Sequence, residues 1–300
     1  MRVVVTGASG FVGQNLCTFF ESMNSSFQKL SLRNSDWSNG LSISADAIIH
    51  LVGKAHDTSN TSGAGEYFAI NRDLTVDLFN IFLKSEIRDF FYFSSVKAVA
   101  DTVHGILRED VLGKPATPYG KSKLEAEQYL LNQQLPEGKR LFIIRPCMIH
   151  GPGNKGNLNL LYKVVEKGIP WPLASFHNER SFLSIDNLSF LIKEMIENQL
   201  IPSGVYNFAD DEALSTNDLV TLIAQTLGKK PKLLHIAPAL IKTTVKIGDF
   251  LPLPLNSERL KKLTESYVVS NGKIKNALGI ETLPTSTKEG LIKTILSFRK

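Results

Sequence analysis

The sequence lacks the features that mark disulfide-rich, metal-binding, nucleic-acid-binding and secreted proteins. It contains only two cysteines, Cys17 and Cys147, which are too few for a disulfide framework and lack the spacing of metal ligands. It has no low-complexity tract, no long run of like charges and no nucleic-acid-binding motif. No basic and apolar leader precedes the first predicted strand. We therefore expect a globular cytoplasmic protein with no metal site and no nucleic-acid partner.

Long hydrophobic runs are also missing. The most apolar stretch, residues 235–255, is interrupted by Lys242, Lys246, Asp249 and prolines before it reaches the roughly 20 apolar residues of a spanning helix. We expect a helix of a substrate-binding lobe here and no membrane insertion, with a membrane-surface helix as the alternative. The net charge of +5 is spread along the chain, so it favours anionic ligands only weakly.

Short apolar runs alternate with helical patterns in the first half of the chain. Strands are predicted at residues 2–7, 27–32, 47–53, 89–95 and 140–146, and amphipathic helices at residues 66–86 and 119–131. This alternation is typical of βαβ units, and it predicts an α/β fold with a doubly wound parallel sheet. Prolines divide the second half into shorter elements, which favours a smaller C-terminal lobe.

The first predicted strand runs directly into the glycine-rich segment TGASGFVG. Gly7 permits a sharp turn, Gly10 lets backbone approach a pyrophosphate, and Gly13 lets helix and strand pack closely. The N–H groups at the start of the following helix can bind the anion, with Phe11 and Val12 beside them. Glycines also occur in purely structural turns, but the order strand, turn and helix favours a dinucleotide cofactor.

A second motif, PYGKSKLEAE, places Tyr119 and Lys123 about one turn apart on one helix face. A nearby ammonium group favours the phenolate form of a tyrosine, which otherwise titrates near pH 10. Ser94 and Ser95 end the predicted strand upstream, at the sheet edge where ligands bind in such folds. Alternatively, the serines only cap the strand and the Tyr119 and Lys123 pair lies on a solvated helix face.

Together these motifs resemble the short-chain dehydrogenase/reductase superfamily. The resemblance implies NAD or NADP as cofactor, Tyr119 as the acid/base, Lys123 as its electrostatic support and ribose contact, and Ser95 as the proton-relay hydroxyl. Ser95 is preferred because it lies three residues before Ala98; in a register shifted by one, Ser94 or Ser95 acts from beside Val96.

Further segments resemble the extended, nucleotide-sugar branch, the NAD-dependent epimerase/dehydratase family. DAIIHLVGKAH resembles a strand beside the cofactor, which implies that Leu51 and Val52 contact it, and NRDLTVDLF implies the same for Asn71. RPCMIHGPG resembles a motif with tyrosine at the position of His150, for which both a ligand contact and a structural role stay open. The implied organisation is a Rossmann domain at residues 1–153 and a substrate-binding lobe at residues 154–300, some of whose segments return to the Rossmann sheet.

The resemblance also indicates a substrate. GNLNLL and RSFLSIDNL resemble segments that hold the nucleotide diphosphate, which implies a phosphate contact for Arg180 and a sugar or uridine contact for Asn157. A surface ion pair is the alternative for Arg180. Ser95 is followed by Val96 and Lys97 instead of the Asp-Glu pair of dehydratases, so dehydration is disfavoured. A UDP-hexose 4-epimerase or a 4-keto-6-deoxy-sugar reductase in bacterial surface-polysaccharide synthesis is expected.

The residue after the second strand bears on the choice of cofactor. NAD enzymes usually place an acidic residue there, whereas this chain has Arg33, which suits a 2′-phosphate, with Asp36 three residues later. Arg33 therefore favours an NADPH-dependent reductase over an epimerase that retains NAD. A non-catalytic nucleotide-binding regulator and a reductase of a non-nucleotide carbonyl compound remain alternatives. The family resemblance also implies a homodimer.

Overall fold

In the computed structural model, residues 1–34, 36–42, 44–54, 63–154, 156–248 and 257–299 are described. The strands are β1 (Arg2–Thr6), β2 (Ser26–Leu30), β3 (Ala47–His50), β4 (Asp89–Phe93), β5 (Ile106–Leu107), β6 (Arg140–Pro146), β7 (Met148–His150), β8 (Phe182–Ser184), β9 (Gly204–Phe208) and β10 (Val268–Val269). The α-helices are α1 (Phe11–Ser22), α2 (Ala64–Phe68), α3 (Leu74–Lys84), α4 (Pro118–Leu131), α5 (Asn157–Glu166), α6 (Ile185–Glu197), α7 (Thr216–Thr226), α8 (Pro238–Gly248), α9 (Ser257–Thr264), α10 (Gly272–Leu278) and α11 (Thr287–Ser297).

Six strands form one parallel sheet in the order β2-β1-β3-β4-β6-β9. The chain leaves β1 toward β2 on one side and returns to β3 on the other, so the order reverses beside β1. In open α/β sheets, the crevice at such a reversal, outside the carboxyl ends of the strands, is where ligands bind. The predicted doubly wound parallel sheet is confirmed. The sequence patterns indicate five of its strands, and the family resemblance of SGVYNFADDEALSTNDLV implies a further strand where the sixth, β9, lies.

Helices cover both faces of the sheet. Alternate β1 side chains enter opposite layers: Val3 and Val5 pack with α1 and α6, and Val4 packs with α3 and α4. The strands are therefore buried on both faces, which explains their continuous apolar runs. This packing fixes the carboxyl ends of β1, β3 and β4 next to one another at one edge of the sheet.

A separate apolar cluster holds the C-terminal lobe together, with α5, α7 and α11 packed around Leu158, Leu219 and Leu291. Two short strand pairs, β7 with β8 and β10 with β5, accompany it. Of the apolar stretch 235–255, residues 238–248 form α8, and residues 249–255 lie outside the described part of the chain. Among the described residues, no helix is long and apolar enough to cross a membrane.

Candidate active site

The glycine turn follows β1 and has no room for a side chain at Gly7 or Gly13. Gly7 has φ +69°, and a Cβ on it would lie 2.9 Å from both the Leu51 carbonyl carbon and the Val52 nitrogen. A Cβ on Gly13 would lie 2.4 Å from the Gly7 oxygen, so α1 packs directly on the turn. The structure thus brings Leu51 and Val52 against the glycine turn, as the predicted cofactor site requires.

The start of α1 faces the crevice. Gly10 is its N-cap and provides no side-chain cap, so the first-turn N–H groups remain available to an anion. Phe11 and Val12 begin the helix and are half-buried. The segment 151–153 lies close to this helix, since Asn15 Nδ2 donates to the Pro152 backbone oxygen at 3.1 Å. A glycine cradle at a helix N-terminus fits the diphosphate of a dinucleotide.

Tyr119 and Ser95 meet at the carboxyl end of β4. Helix α4 begins here because Pro118 occupies its first turn and the Thr117 hydroxyl accepts a hydrogen bond from the Gly120 nitrogen. This places the Tyr119 side chain in hydrogen-bond contact with the side chain of Ser95. A phenol hydrogen-bonded to a hydroxyl can exchange a proton with a substrate oxygen placed between them.

Burial dominates the electrostatics of the Tyr119 and Lys123 pair. It raises the pKa of Tyr119, while the hydrogen bond from Ser95 lowers it. It also lowers the pKa of Lys123 to about 8, opposed by the negative charge of Glu127. The Lys123 Nζ donates to the Phe93 oxygen at 2.8 Å. The ammonium group is thus aimed at this backbone oxygen, and its predicted effect on Tyr119 stays a prediction.

Ser94, predicted to contact the cofactor, donates its hydroxyl hydrogen bond to the Glu127 carboxylate. Glu127 also pairs with Arg145, at 2.6 Å between Oε2 and Nη2. No sequence motif singles out a role for Glu127 or Arg145. A usable signal was present, because Glu127 lies one turn after Lys123 on the same helix face.

Asn71 lies in a π-helical turn, Ala69–Asp73, between α2 and α3. Its Oδ1 accepts a hydrogen bond from the Lys54 backbone nitrogen at 2.7 Å, and its Nδ2 donates to the Ser122 hydroxyl oxygen at 3.0 Å. Asn71 therefore connects the segment after β3 to α4, between Tyr119 and Lys123. Its side chain fixes the backbone that borders the crevice.

Two histidines near these motifs are structural. His50 is fully buried, with its ring nitrogens hydrogen-bonded to the hydroxyls of Thr6 and Thr75, and burial lowers its pKa to about 3. His150 is also fully buried, and its Nδ1 lies 2.9 Å from the Thr294 hydroxyl oxygen. Of the two roles left open for His150, the structure supports the structural one.

The predicted substrate residues lie in the C-terminal lobe. Asn157 is exposed at the start of α5. Arg180 is half-buried and donates to the Lys262 oxygen, and burial lowers its pKa. Arg33 is exposed, three residues beyond the end of β2. Among the described residues, no group of three or more histidine, cysteine or acidic side chains forms a candidate metal site.

A parallel sheet with a glycine cradle at its reversal point, and a serine, tyrosine and lysine beside it, defines a dinucleotide-dependent enzyme class. Residues 3–209 match the NAD dependent epimerase/dehydratase family, and the chain belongs to it. The resemblance to extended short-chain dehydrogenases/reductases is confirmed. The protein is an enzyme of this family, and its cofactor is NAD or NADP.

Individual relatives include epimerases and reductases. The chain is 28% identical to the UDP-glucose 4-epimerase of Vibrio cholerae, with 99% of the chain and 95% of the relative covered. It is 26% identical to the GDP-6-deoxy-D-mannose reductase of Pseudomonas aeruginosa, with 74% and 79% covered. The structure of RMD from Pseudomonas aeruginosa complexed with NADPH has the same fold, with a TM-score of 0.77, 19% identity and full coverage of both chains.

Proposed function

We propose that this enzyme moves a hydride at C4 of a nucleotide sugar, with UDP as the nucleotide, in the synthesis of bacterial surface-polysaccharide precursors. The observation that carries the proposal is the hydrogen bond between Ser95 and Tyr119 at the carboxyl end of β4, beside the glycine cradle. The epimerase and reductase relatives support a reaction at a sugar carbonyl or hydroxyl.

In this proposal, each side chain of the site has a separate task. Tyr119 transfers the proton at the C4 oxygen, and the Ser95 hydroxyl holds that oxygen and relays the proton. The buried ammonium group of Lys123, one turn along the same helix, would supply positive charge that stabilises the phenolate form of Tyr119. NAD or NADP, when bound, would supply or accept the hydride. The proton therefore passes between Tyr119 and the C4 oxygen without entering the solvent.

We favour reduction of a 4-keto sugar, with epimerisation at C4 as the alternative. Arg33 is exposed beyond β2 and suits a 2′-phosphate, which points to NADPH and to a net reduction. The similarity to a UDP-glucose 4-epimerase favours the alternative, in which NAD stays bound and the keto intermediate rotates. A non-catalytic regulator is disfavoured because Ser95, Tyr119 and Lys123 are all present.

The substrate lobe supplies the nucleotide contacts in this proposal. Arg180 would bind the diphosphate through its planar guanidinium group, and Asn157 would contact the sugar or the uridine. Both lie C-terminal to residue 153, where we place the boundary between the Rossmann domain (1–153) and the substrate-binding lobe (154–300). We also propose that the protein is cytoplasmic and forms a homodimer. Sedimentation equilibrium of the purified protein would test the homodimer.

The decisive experiment compares Tyr119→Phe with Tyr129→Phe. Tyr129 lies on the same helix, and its hydroxyl donates to Asn80 Oδ1 at 2.9 Å, away from Ser95. We expect Tyr119→Phe to lower kcat on the nucleotide sugar by about 10²- to 10⁴-fold and Tyr129→Phe to change it little. Full turnover by Tyr119→Phe would refute the assignment, and cofactor binding without turnover of any nucleotide sugar by the wild type would favour the regulator.

A further inference from the structure

Lys97 is a cation built into the loop that carries Ser95. It belongs to the short 3₁₀ turn Val96–Ala98, and its backbone nitrogen donates to the Ser95 hydroxyl at 3.2 Å. Its carbonyl oxygen packs on the start of α4, where a Cβ on Gly120 would lie only 2.5 Å away. The backbone of Lys97 is therefore fixed between two elements that also position Ser95 and Tyr119.

The side chain of Lys97 extends toward the C-terminal lobe. Its Nζ donates to the backbone carbonyl oxygen of Asp101 at 2.8 Å and lies 4.3 Å from the centre of the Tyr267 ring. The Tyr267 hydroxyl donates to the Ala100 oxygen at 2.7 Å, which holds the ring in place. An ammonium group has three N–H donors, and the Asp101 oxygen takes one of them.

Charged side chains of both signs surround the Lys97 ammonium group. Arg180 and Lys262 both lie close enough to disfavour the charged form of Lys97, while Asp101 and Glu265 favour it. Burial is the largest cause, and together these effects lower the pKa of Lys97 to about 8. The backbone of Arg180 pairs with that of Tyr267 in a β-bridge, and the Lys97 ammonium group lies over the Tyr267 ring, so both cations adjoin the same residue of the C-terminal lobe. An anion bound between Lys97 and Arg180 would accept charge-assisted hydrogen bonds from both.

We propose that Lys97 is a specificity-determining residue that contacts an anionic oxygen of the nucleotide sugar. This inference rests on the proposed function, because it assumes that the substrate lies between Ser95 and the C-terminal lobe. Two groups in such substrates carry anionic oxygens: the diphosphate and the carboxylate of a hexuronate sugar. Both would accept charge-assisted hydrogen bonds from the ammonium group.

The test is isothermal titration calorimetry of wild type, Lys97→Met and Lys97→Arg with pyrophosphate, UDP, UDP-glucose and UDP-glucuronic acid. The matched control is Lys139→Met. Lys139 is also half-buried, lies 4.4 Å from the Phe82 ring centre and donates to the Ser85 and Ile87 backbone oxygens at 2.7 Å, but it lies at the opposite, amino end of β6. Melting temperatures establish that each variant is folded.

Lys97→Met should weaken binding of the contacted group by roughly 10- to 100-fold, with recovery in Lys97→Arg and little change in Lys139→Met. Equal weakening for all four ligands identifies the diphosphate, and weakening of UDP-glucuronic acid alone identifies the carboxylate. Wild-type binding should also weaken as the pH rises through about 8, where Lys97 loses its proton, whereas Lys97→Arg should keep its affinity.

Equal affinities of wild type and Lys97→Met for all four ligands would overturn the inference, as would a wild type that binds none of them. Recovery in Lys97→Arg without any change in pH dependence would leave only a structural role and would also overturn it. A wild type that binds pyrophosphate or UDP through Lys97 but converts no nucleotide sugar would refute the proposed function alone. The two failures are therefore distinguishable.

Discussion

The Glu127 carboxylate and the Arg145 guanidinium group form a buried two-point ion pair, with Nη2 to Oε2 at 2.6 Å and Nε to Oε1 at 3.0 Å. The pair connects α4, which carries Tyr119 and Lys123, to the carboxyl end of β6. The same carboxylate accepts the hydrogen bond of Ser94. One acidic side chain therefore sets the position of α4 relative to the carboxyl ends of β4 and β6.

Replacing Glu127 by Gln should destabilise the protein by about 3–5 kcal/mol, because it leaves the buried guanidinium group of Arg145 without its counter-ion. Urea unfolding of the purified variants measures this loss. The double variant Glu127→Gln with Arg145→Met should recover part of it, because no buried charge then remains unpaired. Losses that simply add in the double variant would show that the two side chains act independently.

Activity should fall on the alkaline side with a midpoint near pH 8, because Lys123 loses its proton there. Its folded-state pKa is depressed, so the unfolded chain binds more protons between pH 8 and its ordinary value, and the contribution of Lys123 to stability should rise over the same interval. The pH profile of kcat/KM and urea unfolding at several pH values measure the two trends. A Lys123→Met variant should lack this rise in stability; parallel trends in both proteins would argue against the assignment.

Gly13→Ala should cost several kcal/mol and abolish cofactor binding. The new Cβ would lie 2.4 Å from the Gly7 oxygen and 2.6 Å from the Ala8 Cα, both backbone atoms that cannot move aside cheaply. The matched control is Gly65→Ala in α2, whose Cβ meets nothing within 4 Å and should stabilise the helix by roughly 0.5–1 kcal/mol. Thermal unfolding and NAD(P)H fluorescence titration report the two effects. Normal cofactor binding by Gly13→Ala would contradict the close packing of α1 on the turn.

Arg33→Ala should weaken NADPH binding by about tenfold or more and leave NADH binding nearly unchanged, because only the 2′-phosphate needs the guanidinium group. Lys29→Ala, on β2 itself, provides a control for the loss of one positive charge. Fluorescence titration with both cofactors gives the comparison. An unchanged NADPH affinity, or NAD released in near-stoichiometric amount on denaturation of the wild type, would favour the epimerase.

Local sequence patterns determined much of this protein. The continuous apolar runs of β1, β3, β4 and β6 fix a parallel sheet, because such strands must be buried on both faces. The glycine spacing and the four-residue interval between Tyr119 and Lys123 are likewise local, so they predict a cofactor turn and an acid/base pair without knowledge of any tertiary contact.

Tertiary structure decided what depends on residues far apart in the chain. Glu127 contacts Arg145 and Ser94, Asn71 joins Lys54 to α4, and Lys97 lies over the Tyr267 ring, because strand order and helix packing bring their elements together. The spacing of apolar residues, every 2 positions in a strand or every 3.6 in a helix, carries no information about such pairs. The direction of the Lys123 ammonium group was decided in the same way: the end of β4 supplies the Phe93 oxygen to which it donates.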